Sequence, residues 1–179
     1  LAAEFLSFFE SIASPERLVV APEALNRFYV DPGTSGSRAD AKVGATWMTR
    51  EDRESEIADY VDFLDAVWAE TAAASPRLTV LGFSQGVATA CRWAERGRAR
   101  FHRLGAWAGQ LHAYGNPARL RELPGGLVLV TGTTDEYATW VGDGDPGVRL
   151  AAAGVSVEVL SFDGGHRLDR ETLCRLAGT

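Results

Sequence analysis

The stretch Gly82-Phe83-Ser84-Gln85-Gly86 combines residue types and spacing that point to nucleophilic chemistry. A short apolar run, Leu78 to Leu81, precedes it, and a helical pattern with Val87, Ala90, Cys91 and Ala94 on one face follows it. That order reads as strand, sharp turn and helix. In such a setting G-x-S-x-G forms a nucleophile elbow: strained backbone lifts the serine hydroxyl above the sheet edge, and the flanking glycines remove Cβ atoms that would collide. The bare pentapeptide says little, because it recurs by chance; its place between a strand and a helix gives it weight.

A serine hydroxyl is a poor nucleophile until a base takes its proton, and that base needs an orienting acid. The chain offers three histidines. His102 follows a helix end among arginines, a solvated position. His112 lies just past a strand end at Gly109-Gln110 and stays a weaker candidate. His166 follows the last strand in a Gly-Gly-His loop whose glycines allow close approach to the elbow, so it is the expected base. For the acid, Asp135 emerges just after a core strand, on the carboxyl edge where parallel sheets bind ligands. Asp163 and Glu136 compete with it by proximity, with loop capping and solvent contact as their plainer roles. Asp143 and Asp145 form only a D-G-D fragment, too little for a calcium loop, and no metal or cofactor is expected.

These residues need a scaffold that delivers them to one edge. Ala2 to Ala13 carries Phe5, Leu6, Phe8, Phe9 and Ile12 at helical spacing, ended by Ser14-Pro15. Arg17 to Ala21 reads as a short parallel strand, and Asp31 to Ala45 as a long exposed loop. Thr46-Trp47-Met48 then interrupts the polar stretch: either it anchors the loop to the core, or Trp47 lines an acyl pocket. Thr49 to Ala73 patterns as a long helix with Ile57, Tyr60, Val61, Leu64, Val67 and Trp68 inward, and Thr49 and Asp52 at its start. Further strands are expected at Leu104 to Ala108, Gly126 to Thr131 and Val155 to Phe162. Helices are expected near Pro117 to Arg121, from Asp145-Pro146, and from Asp169 to Leu176. Strands alternating with helices imply a single α/β domain over 1–179, with a mostly parallel sheet covered on both faces.

Composition narrows the partners. The chain has 179 residues, 46% hydrophobic and 23% charged, values of an ordinary globular protein. A net charge of −6 argues against nucleic acid, whose phosphates demand clustered Lys and Arg. The short run Arg96 to Arg100 suits a helix C-terminus instead. The two cysteines, Cys91 and Cys174, fall on helical patterns, which fits free thiols in a reducing, cytoplasmic compartment. No run approaches the roughly eighteen apolar residues of a membrane span, so stable membrane insertion is not expected, and no signal peptide is visible.

Ser84, Asp135 and His166 occur in the order nucleophile, acid, base, the order of α/β-hydrolases. GFSQG before a helix, GTTDE after the next-to-last strand and GGH after the last resemble the phospholipase/carboxylesterase branch of that superfamily, which includes acyl-protein thioesterases. The aromatic segment Thr46-Trp47-Met48 ahead of a long helix is similar to that branch's segment near the substrate pocket. The resemblance implies an α/β-hydrolase fold and cofactor-free cleavage of small carboxylic esters or thioesters through an acyl-serine. It also implies an oxyanion donor at the backbone N–H of Gln85. Trp47, Leu111 and Tyr137 are candidates to border the pocket, each equally suited to packing. One departure stands out. The family's other oxyanion donor comes from a loop before the first helix, which here would lie at or before Leu1, so the fold is expected to be N-terminally incomplete and the natural protein to extend upstream. Two alternatives remain: a hydrolase-fold protein that binds without turnover, and an acyltransferase using the same three side chains.

Overall fold

The computed structural model describes residues 1–30, 41–71, 77–111, 116–137 and 146–178. Its centre is a four-stranded parallel sheet in the order β3 (Thr79–Phe83), β4 (Arg103–Trp107), β5 (Leu127–Gly132) and β6 (Val157–Phe162). β5 shows why these runs become parallel strands. Leu127 and Leu129 face one core with Leu104 and Ala106 of β4, while Val128 and Val130 face a second core with Trp107. Both sides are covered, so the strand is apolar throughout rather than alternating.

The first core lies beneath α2 (Arg53–Thr71) and α3 (Gln85–Arg96), which contribute Ile57, Tyr60, Leu64, Val87 and Cys91. The second lies beneath α6 (Arg170–Ala177), through Leu173 and Leu176, and the N-terminal segment, through Phe9 and Ile12. Shorter helices α4 (Pro117–Leu120) and α5 (Pro146–Ala152) complete the strand-helix alternation. Asn116 and Asp169 cap α4 and α6 by accepting from Ala118 N–H and Thr172 N–H, each at 3.0 Å.

The structure corrects several expectations. The first helix is α-helical only over α1 (Ala2–Leu6), and Ser7–Ile12 tightens into a 3₁₀ helix. The three-residue repeat places Phe9 and Ile12 together on the core, with the Phe5 ring 5.2 Å from that of Phe9. Arg17 to Ala21 is not a strand: no described strand runs beside it, although Leu18 and Val20 point outward and Val19 packs inward as in one. Part of the expected loop is instead ordered as β2 (Val43–Thr46), paired antiparallel with β1 (Asn26–Tyr29). Residues 31–40 lie outside the described chain. The long helix begins at Arg53 rather than Thr49, because Asp52 takes a left-handed φ of 45°. Thr49 N–H donates to Glu56 Oε2 at 2.6 Å instead of capping from a distance. Among the described residues β3 and β6 form the outer edges of the sheet.

A buried carboxylate joins α2 to the end of α3. Asp65, 3% exposed, accepts from the Trp93 indole N–H at 2.8 Å and from the amides of Arg98 at 2.9 Å and Ala99 at 3.3 Å. Desolvation works to raise its pKa, but those bonds and the Arg98 guanidinium outweigh it and hold the carboxyl below its usual value. Asp65→Ala strands several buried donors and is expected to lower stability by about 2–4 kcal/mol in urea unfolding. A depressed folded pKa stabilises above the unfolded value near ~3.9, and this contribution is lost as pH falls through the lowered folded value. The gap between the parent and Asp65→Asn is accordingly expected to shrink in acid. In contrast, burial pushes the Cys91 thiol up to about 12, and neither cysteine is in a disulfide.

Candidate active site

Ser84 joins β3 to α3 with φ 52° and ψ −118°, a backbone position that side-chain-bearing residues rarely occupy. The turn is held by Ser84 N–H donating to Trp107 O at 2.9 Å and Val87 N–H donating to Ser84 O at 3.1 Å. Gly82 is required sterically, since a Cβ there would stand 2.6 Å from Gly86 C and 2.7 Å from Val87 Cα. Gly86 is not, because the space around its missing Cβ is open. The expectation that both glycines avoid collisions therefore holds only for the first.

Strand register brings the other two residues to the same edge. β5 and β6 pair from Leu127↔Val157 to Gly132↔Phe162, and the ladder continues into the loops as Thr133 N–H donates to Phe162 O and Thr134 N–H to Gly164 O, both at 3.0 Å. A side chain at Gly132 would collide with this approach, its Cβ lying 2.7 Å from Gly165 O. Across it, His166 Nδ1 sits 3.1 Å from Asp135 Oδ1 and 3.0 Å from Oδ2. The Asp135 side chain is fully buried, and its Oδ1 also accepts Tyr137 N–H at 2.9 Å. A carboxylate facing Nδ1 favours the tautomer protonated there, leaving the Nε2 lone pair available.

Two rings stand against the imidazole: Phe83, adjacent to Ser84, has its centroid 4.9 Å away, and Tyr137 has its centroid 4.8 Å away, edge-on. Phe83 thus ties His166 to the elbow, a role its sequence position did not signal. Asp163, the rival acid, meets Thr133 Oγ1 at 3.3 Å. His102 lies at the opposite end of the sheet, its amide donating to Leu78 O at 2.8 Å. His112, Asp143 and Asp145 lie outside the described residues. Among the described residues, no three His, Cys, Asp or Glu side chains cluster as a metal site would require.

Gln85 is the first residue of α3, where an N–H has no acceptor within the helix and the dipole favours negative charge. Its side chain reaches the Thr46–Met48 segment, which no sequence pattern indicated. Trp47 is partly buried, packs against the first core and meets the Tyr60 ring edge-on at 6.0 Å. Leu111, 1% exposed, is wholly within that core, while Tyr137 is 64% exposed beside His166.

No protein-family model matches the sequence, and no curated protein matches it significantly. Solved structures do match. A variant of SOBER1 from Arabidopsis thaliana superposes with a TM-score of 0.66 at 16% identity, over 99% of this chain and 91% of that one. Esterase PE8 gives 0.56 at 22% identity over 75% and 68% of the two chains. Acyl-protein thioesterase 2 from Zea mays gives 0.55 at 18% identity over 77% and 72%. No described helix is long and apolar enough to cross a membrane. The parallel sheet, the helices on both its faces, the strained turn at Ser84 and these superpositions together identify the architecture as the α/β-hydrolase fold.

Proposed function

We propose that the protein is a serine hydrolase that cleaves small carboxylic esters or thioesters, with Ser84, His166 and Asp135 as its catalytic residues. The observation that carries this reading is the buried Asp135 carboxylate at 3.0 Å from His166 Nδ1, at the same sheet edge as the strained elbow of Ser84, whose neighbour Phe83 stands 4.9 Å from the imidazole. An esterase and an acyl-protein thioesterase among the structural neighbours support it.

In the proposed reaction His166 Nε2 takes the proton of Ser84 Oγ as that oxygen attacks the acyl carbonyl. Asp135 holds the ring in its productive tautomer and stabilises the imidazolium, remaining ionised itself. The oxyanion forms against the Gln85 backbone N–H at the positive end of α3. The tetrahedral adduct collapses as His166 returns the proton to the leaving alcohol or thiol, giving an acyl-serine. Water, deprotonated by the same ring, then releases the acid and restores Ser84. Trp47 and Tyr137 are the proposed borders of the acyl site; Leu111, buried in the first core, is not one of them.

The reading is tested with p-nitrophenyl esters of increasing acyl length and a fluorophosphonate probe. Burst release of p-nitrophenol, followed by slower turnover and stoichiometric labelling of Ser84, is expected. Hydrolysis no faster than buffer, with no labelling, would overturn it.

A further inference from the structure

The Gln85 side chain belongs neither to the three catalytic residues nor to a core, yet among the described residues all its hydrogen bonds run to one segment. Its Oε1 accepts from Trp47 N–H at 3.0 Å and lies 3.0 Å from Thr46 Oγ1. Its Nε2 donates to Met48 O and to Thr46 Oγ1, each at 2.9 Å. An exposed amide can be satisfied by water, so fold stability does not demand this arrangement. What it joins is informative: one end is the residue whose backbone N–H is the proposed oxyanion donor, and the other carries Trp47.

The segment's far side is fastened separately. Arg92 Nη1 lies 3.1 Å from Met48 Sδ and 3.3 Å from Tyr60 Oη, and Trp47 stands against the Tyr60 ring. β2 ends at Thr46, so the β1–β2 ribbon runs directly into this anchor. The segment is thus braced on α2 and α3 from behind and tied to Gln85 in front.

We propose that the Gln85 side chain is a positioning residue: it latches Thr46–Met48 to the start of α3 and thereby holds the oxyanion donor in place. This rests on the hydrolase reading above. A donor displaced by a fraction of an ångström loses most where charge develops, so the latch acts on kcat more than on KM.

The test compares Gln85→Met, Thr46→Val and the double variant, with p-nitrophenyl acetate as substrate and amide hydrogen exchange at Trp47 as a readout independent of turnover. Gln85→Met is expected to lower kcat roughly 10–100-fold with KM nearly unchanged. Thr46→Val should lower it less, and the double variant should be no slower than Gln85→Met, the signature of one shared interaction. Trp47 exchange should accelerate in Gln85→Met. Unchanged kcat in Gln85→Met, multiplied losses in the double variant, or unaltered Trp47 exchange would each overturn the proposal. A parent protein that neither turns over nor labels is a different failure: it removes the hydrolase reading and this inference with it.

Discussion

Ser84→Ala is expected to reduce kcat toward p-nitrophenyl esters by a factor on the order of 10⁶, and to abolish fluorophosphonate labelling. The size follows from the role. Without Oγ no acyl-enzyme forms, and what remains is the modest acceleration from binding and the oxyanion donor. The fold should be indifferent to the change. Alanine keeps the Cβ, so the backbone at φ 52° carries the same strain, and the amide still donates to Trp107 O. Thermal unfolding of the variant is the control, with a melting temperature close to the parent's expected. A variant that keeps parental activity would end the assignment of Ser84 as nucleophile.

Asp135→Asn is expected to lower kcat by roughly 10⁴-fold with little loss of stability. Asparagine is nearly isosteric and its Oδ1 can still accept Tyr137 N–H, the bond that orders the loop. Its amide nitrogen would then face His166 Nδ1 as a donor. The ring must answer with a lone pair at Nδ1, which places the proton on Nε2 and leaves no base for Ser84. Steady-state kinetics together with ¹⁵N spectra of the imidazole check this directly: the tautomer should invert as the rate falls. Activity within tenfold of the parent would show that Asp135 does not orient the base.

Both experiments probe residues that the amino-acid sequence alone singles out, and the reason is local. A strand followed by a glycine-flanked serine and a helix leaves a pattern within twenty residues. The apolar runs at β4 and β5 likewise reveal strands buried on both faces. The order Ser84, Asp135, His166 needs only each residue's position relative to its own strand. Boundaries were less legible: α2 starts late because of one left-handed residue, Asp52, and the N-terminal helix tightens so that Phe9 and Ile12 share one core.

Partner choice across the chain was decided by tertiary structure. Asp163 is nearer His166 in sequence than Asp135, but the parallel register of β5 and β6 sets the Asp135 loop beside the His166 loop and turns Asp163 toward Thr133. The β1–β2 ribbon, the Asp65 network and the bonds from Gln85 to Thr46–Met48 have the same character. The amino-acid sequence by itself determined the elements and the chemistry each could offer, because periodicity and turn geometry act over a few residues. Which side chains meet was decided only in the folded molecule, because strand register and helix packing join residues whose separation along the chain carries no signal of contact.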